Sequence, residues 1–466
     1  MPGSSSGAAR LSQPFRALRH RNYQLFFGGQ FVSLTGTWMQ SVAQSWLVYR
    51  LTGSAALLGL VGFAGQIPIF LLAPFGGAVA DARGRHPILL ATQTLSMLLA
   101  LALAAVTLAG RVQVWHVFAI AALVGIVNAF DIPARQAFIA DMVGRGDLMN
   151  AIALNSSMFT GARILGPAVA GALVATIGEG WCFLLNAGSY IAVLGGLLLM
   201  RIEARPRPSR EGSAIANIIE GFQYVRRTPP VRALLLLLGL VSLTGMPYAV
   251  LMPVFADGIL HGGPTTLGLL TGASGVGALA AAGLLATREG VRGLGRLIAL
   301  ASAGFGVSLV LFAWSTSVWL SAAALVPAGF CMLLQMASSN TLIQAMVPDV
   351  LRGRVMAIYS MMFMGMAPFG ALLAGTLADR LGAPATVAGG GGVCVLGALV
   401  FGVRLRTLRP QARRIILAQQ AAAGEPAQGI TGGATAGSGA GFARSPKPKG
   451  LTGDVSTDRD WRGKPA

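Results

Sequence analysis

The sequence predicts an all-α membrane protein whose twelve transmembrane helices form two pseudo-symmetric six-helix bundles. Three observations carry this. Of 466 residues, 54% are hydrophobic and 11% charged, whereas charged residues make up about a quarter of a soluble globular chain. The apolar residues fall in runs near or above the ~20 that a membrane helix needs, and arginine-rich loops separate the runs. One stretch also repeats. Asn155–Gly178 (NSSMFTGARILGPAVAGALVATIG) aligns with Tyr359–Gly382 at a shift of 204 residues, placing Gly161, Gly166, Gly171 and Gly178 on Gly365, Gly370, Gly375 and Gly382. Arg163 falls on Ala367, so the two copies differ at the charge.

Residues 1–22 are polar and basic, with Arg10, Arg16, Arg19 and Arg21, and read as a cytoplasmic segment. An N-terminal bundle, 23–200, holds spans at Tyr23–Tyr49, Ala55–Ala80, Pro87–Ala109, Val112–Ala134, Leu148–Ile177 and Trp181–Met200. The first run reaches Tyr49 and Arg50 without a small-residue cleavage site, so it is expected to stay in the membrane as a helix. A polar linker rich in Arg and Pro, 201–230, precedes a C-terminal bundle, 231–404. That bundle's spans read as Val231–Phe255, Thr265–Ala286, Leu294–Trp314, Val318–Met346, Val355–Leu377 and Pro384–Val403. The stretch 405–466 is rich in Gly, Ala, Pro and charge, and reads as a disordered cytoplasmic tail.

Arginine placement sets the orientation. With the N-terminus inside, twenty-five arginines from Arg10 to Arg414 lie in cytoplasmic segments, while the outer loops hold Arg50, Arg111 and Arg380. That bias predicts a multi-pass protein of the cytoplasmic membrane with both termini in the cytoplasm. It also accounts for the net charge of +19 without a nucleic-acid partner. The expected partners are the lipid bilayer and a small-molecule substrate, with the chain acting as a monomer. Cys182, Cys331 and Cys394 lie far apart in or beside apolar segments, which suits core positions and gives neither metal spacing nor a disulfide framework. There is no phosphate-cradling Gly-Lys-Ser/Thr loop, and none of the four histidines pairs with a nucleophile. Neither enzyme activity, nor a cofactor, nor a bound metal is expected.

Polar residues inside the spans mark the candidate substrate cavity. Arg163 stands near the middle of the fifth span, where an arginine costs between about 2.5 and over 10 kcal/mol unless it faces protein or water. Ser156 and Thr160 share its face. Two readings stay open for Arg163: binding an anionic group of the substrate, or holding backbone carbonyls freed near Pro167. In the first span Gln30, Ser33, Thr37, Gln40, Ser41 and Gln44 recur at steps of three and four, a stripe that lines either a wet cavity or a helix seam. The methionines from Met332 to Met366 suit an adaptable binding surface or an ordinary core. On this span assignment no carboxylate lies in the central part of a span; Asp131 stands at an inner end, and the cargo is expected to be neutral or anionic.

Two loops carry a family resemblance. After the second span, GGAVADARGRHP sets Gly77, Asp81, Gly84 and Arg85 at the spacing seen in transporters of the major facilitator superfamily. The arginine usual after the aspartate is Ala82 here, with Arg83 one place on. GLLATREGVR repeats the spacing in the second half, with Thr287 in the aspartate's place. The stretches NAFDIPARQAFIADMV, NAIALN and ARILGPA, from Asn128 to Ala168, and FRALRHRNY from Phe15 resemble the siderophore-exporter branch of that superfamily. Resemblance covers about Phe15 to Arg409. It implies the major facilitator fold, built from parallel six-helix repeats, and an exporter, coupled in many members to a proton gradient; Asp131 and Asp257 are the fallback proton carriers. It also implies a cytoplasmic gate at Gly77, Asp81, Gly84 and Arg85. Asp131 and Arg135, four apart on one helix face, are expected to join that gate, an isolated surface pair being the alternative. An uptake carrier and a non-transporting sensor on the same fold are the rival functions.

Overall fold

The computed structural model describes residues 13–144, 146–200, 214–288 and 290–422. A short 3₁₀ turn, Gln13–Arg19, leads into six long helices: α1 (Arg21–Thr52), α2 (Ala55–Arg83), α3 (Arg85–Leu108), α4 (Val114–Val143), α5 (Leu148–Ile177) and α6 (Glu179–Leu198). After α7 (Ala214–Arg227) come α8 (Pro229–Thr244), α9 (Gly263–Ala286), α10 (Leu294–Ala313) and α11 (Val318–Met346). The described residues end in α12 (Asp349–Met364), α13 (Ala367–Leu381) and α14 (Ala383–Ala422). Among the described residues, eleven segments are long and apolar enough to cross a membrane, α12 and α13 counting as one. The twelfth is α1, 32 residues long, whose polar stripe lowers its hydropathy.

Glycines set how closely these helices cross, and they do so twice. On α2, a Cβ on Gly76 would overlap the Ala129 carbonyl of α4, and one on Gly125 the Gly65 carbonyl. On α9 and α11, Gly277 and Gly329 stand in the same relation to the Val326 and Ser274 carbonyls. Small residues of this kind are what lets membrane helices touch along their backbones. The repeated stretch shows the same doubling. Gly166 sits against α1, where a Cβ would lie 2.5 Å from Trp38 Cβ and 2.8 Å from the Thr35 carbonyl. Gly370 sits against Leu243 on α8.

Two seams join the halves, again through the repeat. A Cβ on Gly171 of α5 would lie 3.0 Å from Gly268 Cα on α9, and one on Gly375 of α13 would lie 2.9 Å from Gly59 Cα on α2. These crossings stand at the end of the molecule away from the arginine-rich loops. There Asp379 of α13 accepts from the Ala55 amide at 2.8 Å and the Ser54 hydroxyl at 2.9 Å. A carboxylate at a helix N-terminus meets unpaired amides and the favourable end of the helix dipole. Asp379→Ala removes this cap across the two halves, and the thermal midpoint of the purified protein is expected to fall by an amount matching about 1 kcal/mol. Asp379→Asn, which keeps an acceptor, is expected to recover most of it.

Four boundaries differ from the sequence reading. The fourth span was expected to end at Ala134, yet α4 continues through Pro133 to Val143. A membrane helix tolerates an internal proline when neighbouring helices satisfy the freed backbone groups. The expected tail begins as ordered helix, because α14 runs to Ala422 with Leu405, Leu408 and Ile416 buried; residues 423–466 lie outside the described residues. The linker holds α7, whose Tyr224 hydroxyl donates to the Met346 carbonyl at 2.9 Å and whose Glu220 pairs with Arg354. The eleventh span is broken at Gly365 and Met366, just before Pro368.

Candidate functional site

The joint between α2 and α3 is Gly84, at φ +88°, a left-handed conformation that glycine adopts without strain. It turns the chain so that Arg85 opens α3 beside α4. Arg85 Nη1 donates to the Ala137 carbonyl at 2.7 Å and to the Asp141 carboxylate at 3.0 and 3.1 Å. Gly77 is in ordinary contact with Pro133, at 3.9 Å for an added Cβ, so Gly76 is the tight residue of the pair. Asp81 stands on the last turn of α2, and its side chain lies outside the described residues.

Asp131 is elsewhere. It is 3% exposed, and it lies roughly 15 Å along α4 from Asp141 at 1.5 Å per residue. Thr92 Oγ1 and Gln93 Nε2 of α3 donate to its Oδ1 at 2.9 and 2.7 Å, and Arg135 Nε approaches its Oδ2 at 3.5 Å. The single gate cluster expected from the sequence is therefore two groups in this conformation, Arg85 with Asp141 and Asp131 with Arg135. Counted from Val114, a span of about 20 residues ends near Ala134, so Asp131 stands at its inner end, and three side chains compensate its burial. A buried ionisable residue on a membrane helix is a functional candidate by default.

The α1 stripe divides. Gln30, Ser33 and Gln40, placed among the candidate cavity residues, are buried and follow the helix-seam alternative for the stripe instead. Their helix meets α6 closely, Gly29 against the Ala192 carbonyl and Gly36 against Asn186 and Ser189, and Gln40 Oε1 accepts from Asn186 Nδ2 at 2.6 Å. In a seam without water, pairing amides is the way to avoid an unsatisfied polar group. Thr37 and Ser41 are exposed and Gln44 is half-buried, so these three keep access to open space.

Arg163 is half-buried at the middle of α5, and its guanidinium carbon stands 5.6 Å from the centre of the Trp38 ring. Trp38 in turn meets Phe159 edge-on at 5.7 Å. Among the described residues no carboxylate pairs with Arg163. Ser156 and Thr160 lie two turns and one turn away, each donating to a carbonyl of its own helix, Ile152 at 3.0 Å and Ser156 at 2.9 Å. Their oxygens keep acceptor capacity. The site thus combines a cation, two aromatic rings and hydroxyls, an arrangement suited to an anionic or aromatic organic molecule. The methionines divide too: Met332 and Met346 are core, while Met364 is 48% exposed.

At the arginine-rich end, Arg16 pairs with Asp147 at 3.1 Å and His20 Nε2 lies 2.9 Å from its other oxygen. The His20 hydrogen bond, then the Arg16 charge, hold the Asp147 carboxyl below its ordinary value. The Ala17 amide donates to Asn150 at 2.8 Å, so the segment before α1 is tied to the start of α5. Sequence reasoning missed this tie, as it missed Asp141. The acid at 141 was visible, but nothing in the spacing says that Gly84 turns Arg85 toward it.

Residues 12–421 match the family model described as transmembrane secretion effector. The chain is 29% identical over 371 residues to the multidrug efflux pump Tap of Mycolicibacterium fortuitum, covering 76% of this chain and 90% of that one. It is 27% identical over 360 residues to the staphyloferrin A transporter of Staphylococcus aureus, covering 77% and 89%. With the enterobactin exporter EntS of Shigella boydii it shares 24% over 398 residues, covering 85% and 93%. Among solved structures, the nucleoside transporter NupG matches with a TM-score of 0.63 at 14% identity, covering 82% of this chain and 98% of that one. A bacterial homologue of the lysosomal transporter Spinster matches with a TM-score of 0.55 at 16% identity, covering 90% and 98%. These two likenesses concern the fold.

Proposed function

The chain belongs to the transmembrane secretion effector family of the major facilitator superfamily, and we propose that it exports a small siderophore-, drug- or metabolite-like molecule across the cytoplasmic membrane. The observation that carries the cargo's chemistry is Arg163, a cation at mid-span whose recorded partner is the Trp38 ring. A cargo bearing a carboxylate or similar anion would supply the missing counter-charge, and its aromatic part would meet Trp38 and Phe159. Ser156, Thr160, Thr37 and Gln44 would complete the lining. The direction of transport follows the relatives, two of which are named as efflux or export proteins.

Transport proceeds by alternating access, with the bundles 23–200 and 231–404 rocking about the α5–α9 and α2–α13 seams. Both termini face the cytoplasm, as the arginine bias requires, and the chain works as a monomer. The glycine seams close the outer end in the state described. Gly77, Asp81, Gly84 and Arg85, joined by Asp131 and Arg135, close the cytoplasmic end in the other state. Proton coupling runs through Asp131, which takes up a proton when its pair with Arg135 opens. The test compares a deletion strain with its parent by mass spectrometry of the medium, in iron-replete and iron-starved growth. An anionic compound that the parent secretes and the mutant retains is expected. A compound depleted from the medium by the parent alone would point to an uptake carrier instead.

A further inference from the structure

We propose that the extension of α14 beyond the membrane forms a binding site for an acidic phospholipid, separate from the transport pathway. A cavity of about 880 Å³ opens where the start of α8, the α9–α10 loop and the end of α11 meet the helix after Val403. Its lining has two characters. Leu234, Leu342, Met346, Phe401, Leu405 and Leu408 form an apolar floor. Arg292, Arg406, Arg409, Arg413 and Arg414 stand around it, all exposed at the surface, and among the described residues that line it none is acidic.

The helix geometry explains the alternation. Phe401, Leu405, Leu408, Ala412 and Ile416 recur at steps of three and four, which turns them to one face. The arginines fall between them: Arg406, Arg409 and Arg413 follow one another along one side of that face, and Arg414 lies farther round the helix. Pro410 has no amide to give the Arg406 carbonyl, so the hydrogen-bond ladder is interrupted in the middle of the basic stretch. The loop wall is held in place by Arg288, whose Nη2 donates to the Arg292 carbonyl at 2.9 Å. Gly295 lets that wall approach Leu405, at 3.1 Å for an added Cβ.

Depth decides the occupant. A span of about 20 residues from Ala383 ends near Val403, so the arginines from 406 to 414 lie at headgroup level and the floor lies just beneath. A phosphodiester can be gripped by guanidinium groups, which match it in planar, two-pronged geometry. The acyl chains would then run down the apolar floor into the bilayer. A free phosphate would use the rim and leave the floor in water. Basic pockets beside membrane helices at the cytoplasmic face suit acidic lipid headgroups on the same grounds.

The test uses the full chain, purified in a neutral detergent and titrated with fluorescent phosphatidylglycerol or phosphatidylcholine. Wild type is expected to favour phosphatidylglycerol, and the variant carrying Arg406→Gln, Arg409→Gln and Arg413→Gln to bind it at least about tenfold more weakly. The matching Arg→Lys variant is expected to retain most of the affinity and shows that the fold tolerates change there. Arg111→Gln, at the other end of the molecule, is the charge control and is expected to bind as wild type. Equal binding by wild type and the Gln variant overturns the proposal. So does complete displacement of the lipid by millimolar inorganic phosphate, which would make the site one for small anions. Tighter lipid binding after removal of residues 423–466 would overturn it in another way, by making the chain's own tail the resident occupant.

Discussion

Replacing Gly171 with leucine is expected to abolish export while leaving the protein folded in the membrane. A Cβ at 171 already lies 3.0 Å from Gly268 Cα and 3.1 Å from the Pro264 carbonyl, both backbone atoms that cannot rotate away. The rest of a leucine side chain has no room until α5 and α9 separate. Overfilling a fitted contact costs about 1–3 kcal/mol. Here the contact joins the two halves, and in the alternating-access cycle proposed above it exists in only one of the two states. The same energy therefore acts as a bias on the conformational equilibrium, worth about 5- to 150-fold in population. Gly375→Leu is expected to do the same at the second seam, where a Cβ would lie 2.6 Å from the Ala55 carbonyl. Efflux from loaded vesicles reports the loss, and the thermal midpoint of each purified variant reports that the halves remain folded. Normal efflux by both variants would show that these seams do not open and close during transport.

Asp131→Ala is the second large effect, and it acts on stability. It leaves the Arg135 guanidinium, Thr92 and Gln93 facing a vacated position in a place with little water. Removing one partner of a buried ion pair costs about 3–5 kcal/mol. The Arg135 side chain keeps 19% of its exposure, so the lower end is expected. Asp131→Asn separates stability from coupling. Its amide oxygen still accepts from Thr92 and Gln93, so the thermal midpoint is expected to stay within the equivalent of about 1–2 kcal/mol of wild type. It cannot exchange a proton, so efflux driven by a pH gradient is expected to disappear while exchange of cargo for cargo persists. Gradient-driven efflux by the Asn variant at the wild-type rate would exclude Asp131 as the proton carrier.

Most of the architecture is legible in the sequence because membrane insertion leaves a strong signal: long apolar runs, arginines on one side, and glycines repeated at a shift of 204 residues. The repeat glycines also announced their role, since Gly166 and Gly370, and Gly171 and Gly375, do the same work in each half. What failed depended on partners distant in sequence. The fourth span seemed to end where Asp131, Pro133 and Arg135 interrupt the apolar run, because hydropathy does not show that Thr92 and Gln93 arrive from α3 to meet the carboxylate. The α1 stripe covers an arc of roughly 100°, and nothing in its spacing says that α6 buries Gln30, Ser33 and Gln40 while Thr37 and Ser41 stay open. The linker helix did leave a readable trace: Ile215, Ile218, Ile219, Phe222 and Val225 are spaced as one helical face. Polar surroundings hid it.

The candidate site was half legible. Arg163 stood out in the sequence as a charge the other half lacks, but its neighbours did not. Trp38 comes from another helix, and Gly166 is what lets α1 and α5 approach closely enough for the ring to reach the guanidinium. The proposed anionic cargo would supply the counter-charge that no carboxylate among the described residues gives Arg163.

The central claim is that Arg163 binds an anionic group of the cargo. It is tested most directly by measuring binding to wild type, Arg163→Lys and Arg163→Ala in proteoliposomes, using a hydroxycarboxylate siderophore and its uncharged methyl ester as paired probes. The account predicts that Arg163→Ala weakens binding of the carboxylate form about 30-fold or more, as loss of one partner of a buried charge pair does. Arg163→Lys recovers part of that loss, and the ester binds alike to all three. Equal affinity of wild type and Arg163→Ala for the carboxylate form, in protein shown to be folded, would contradict it.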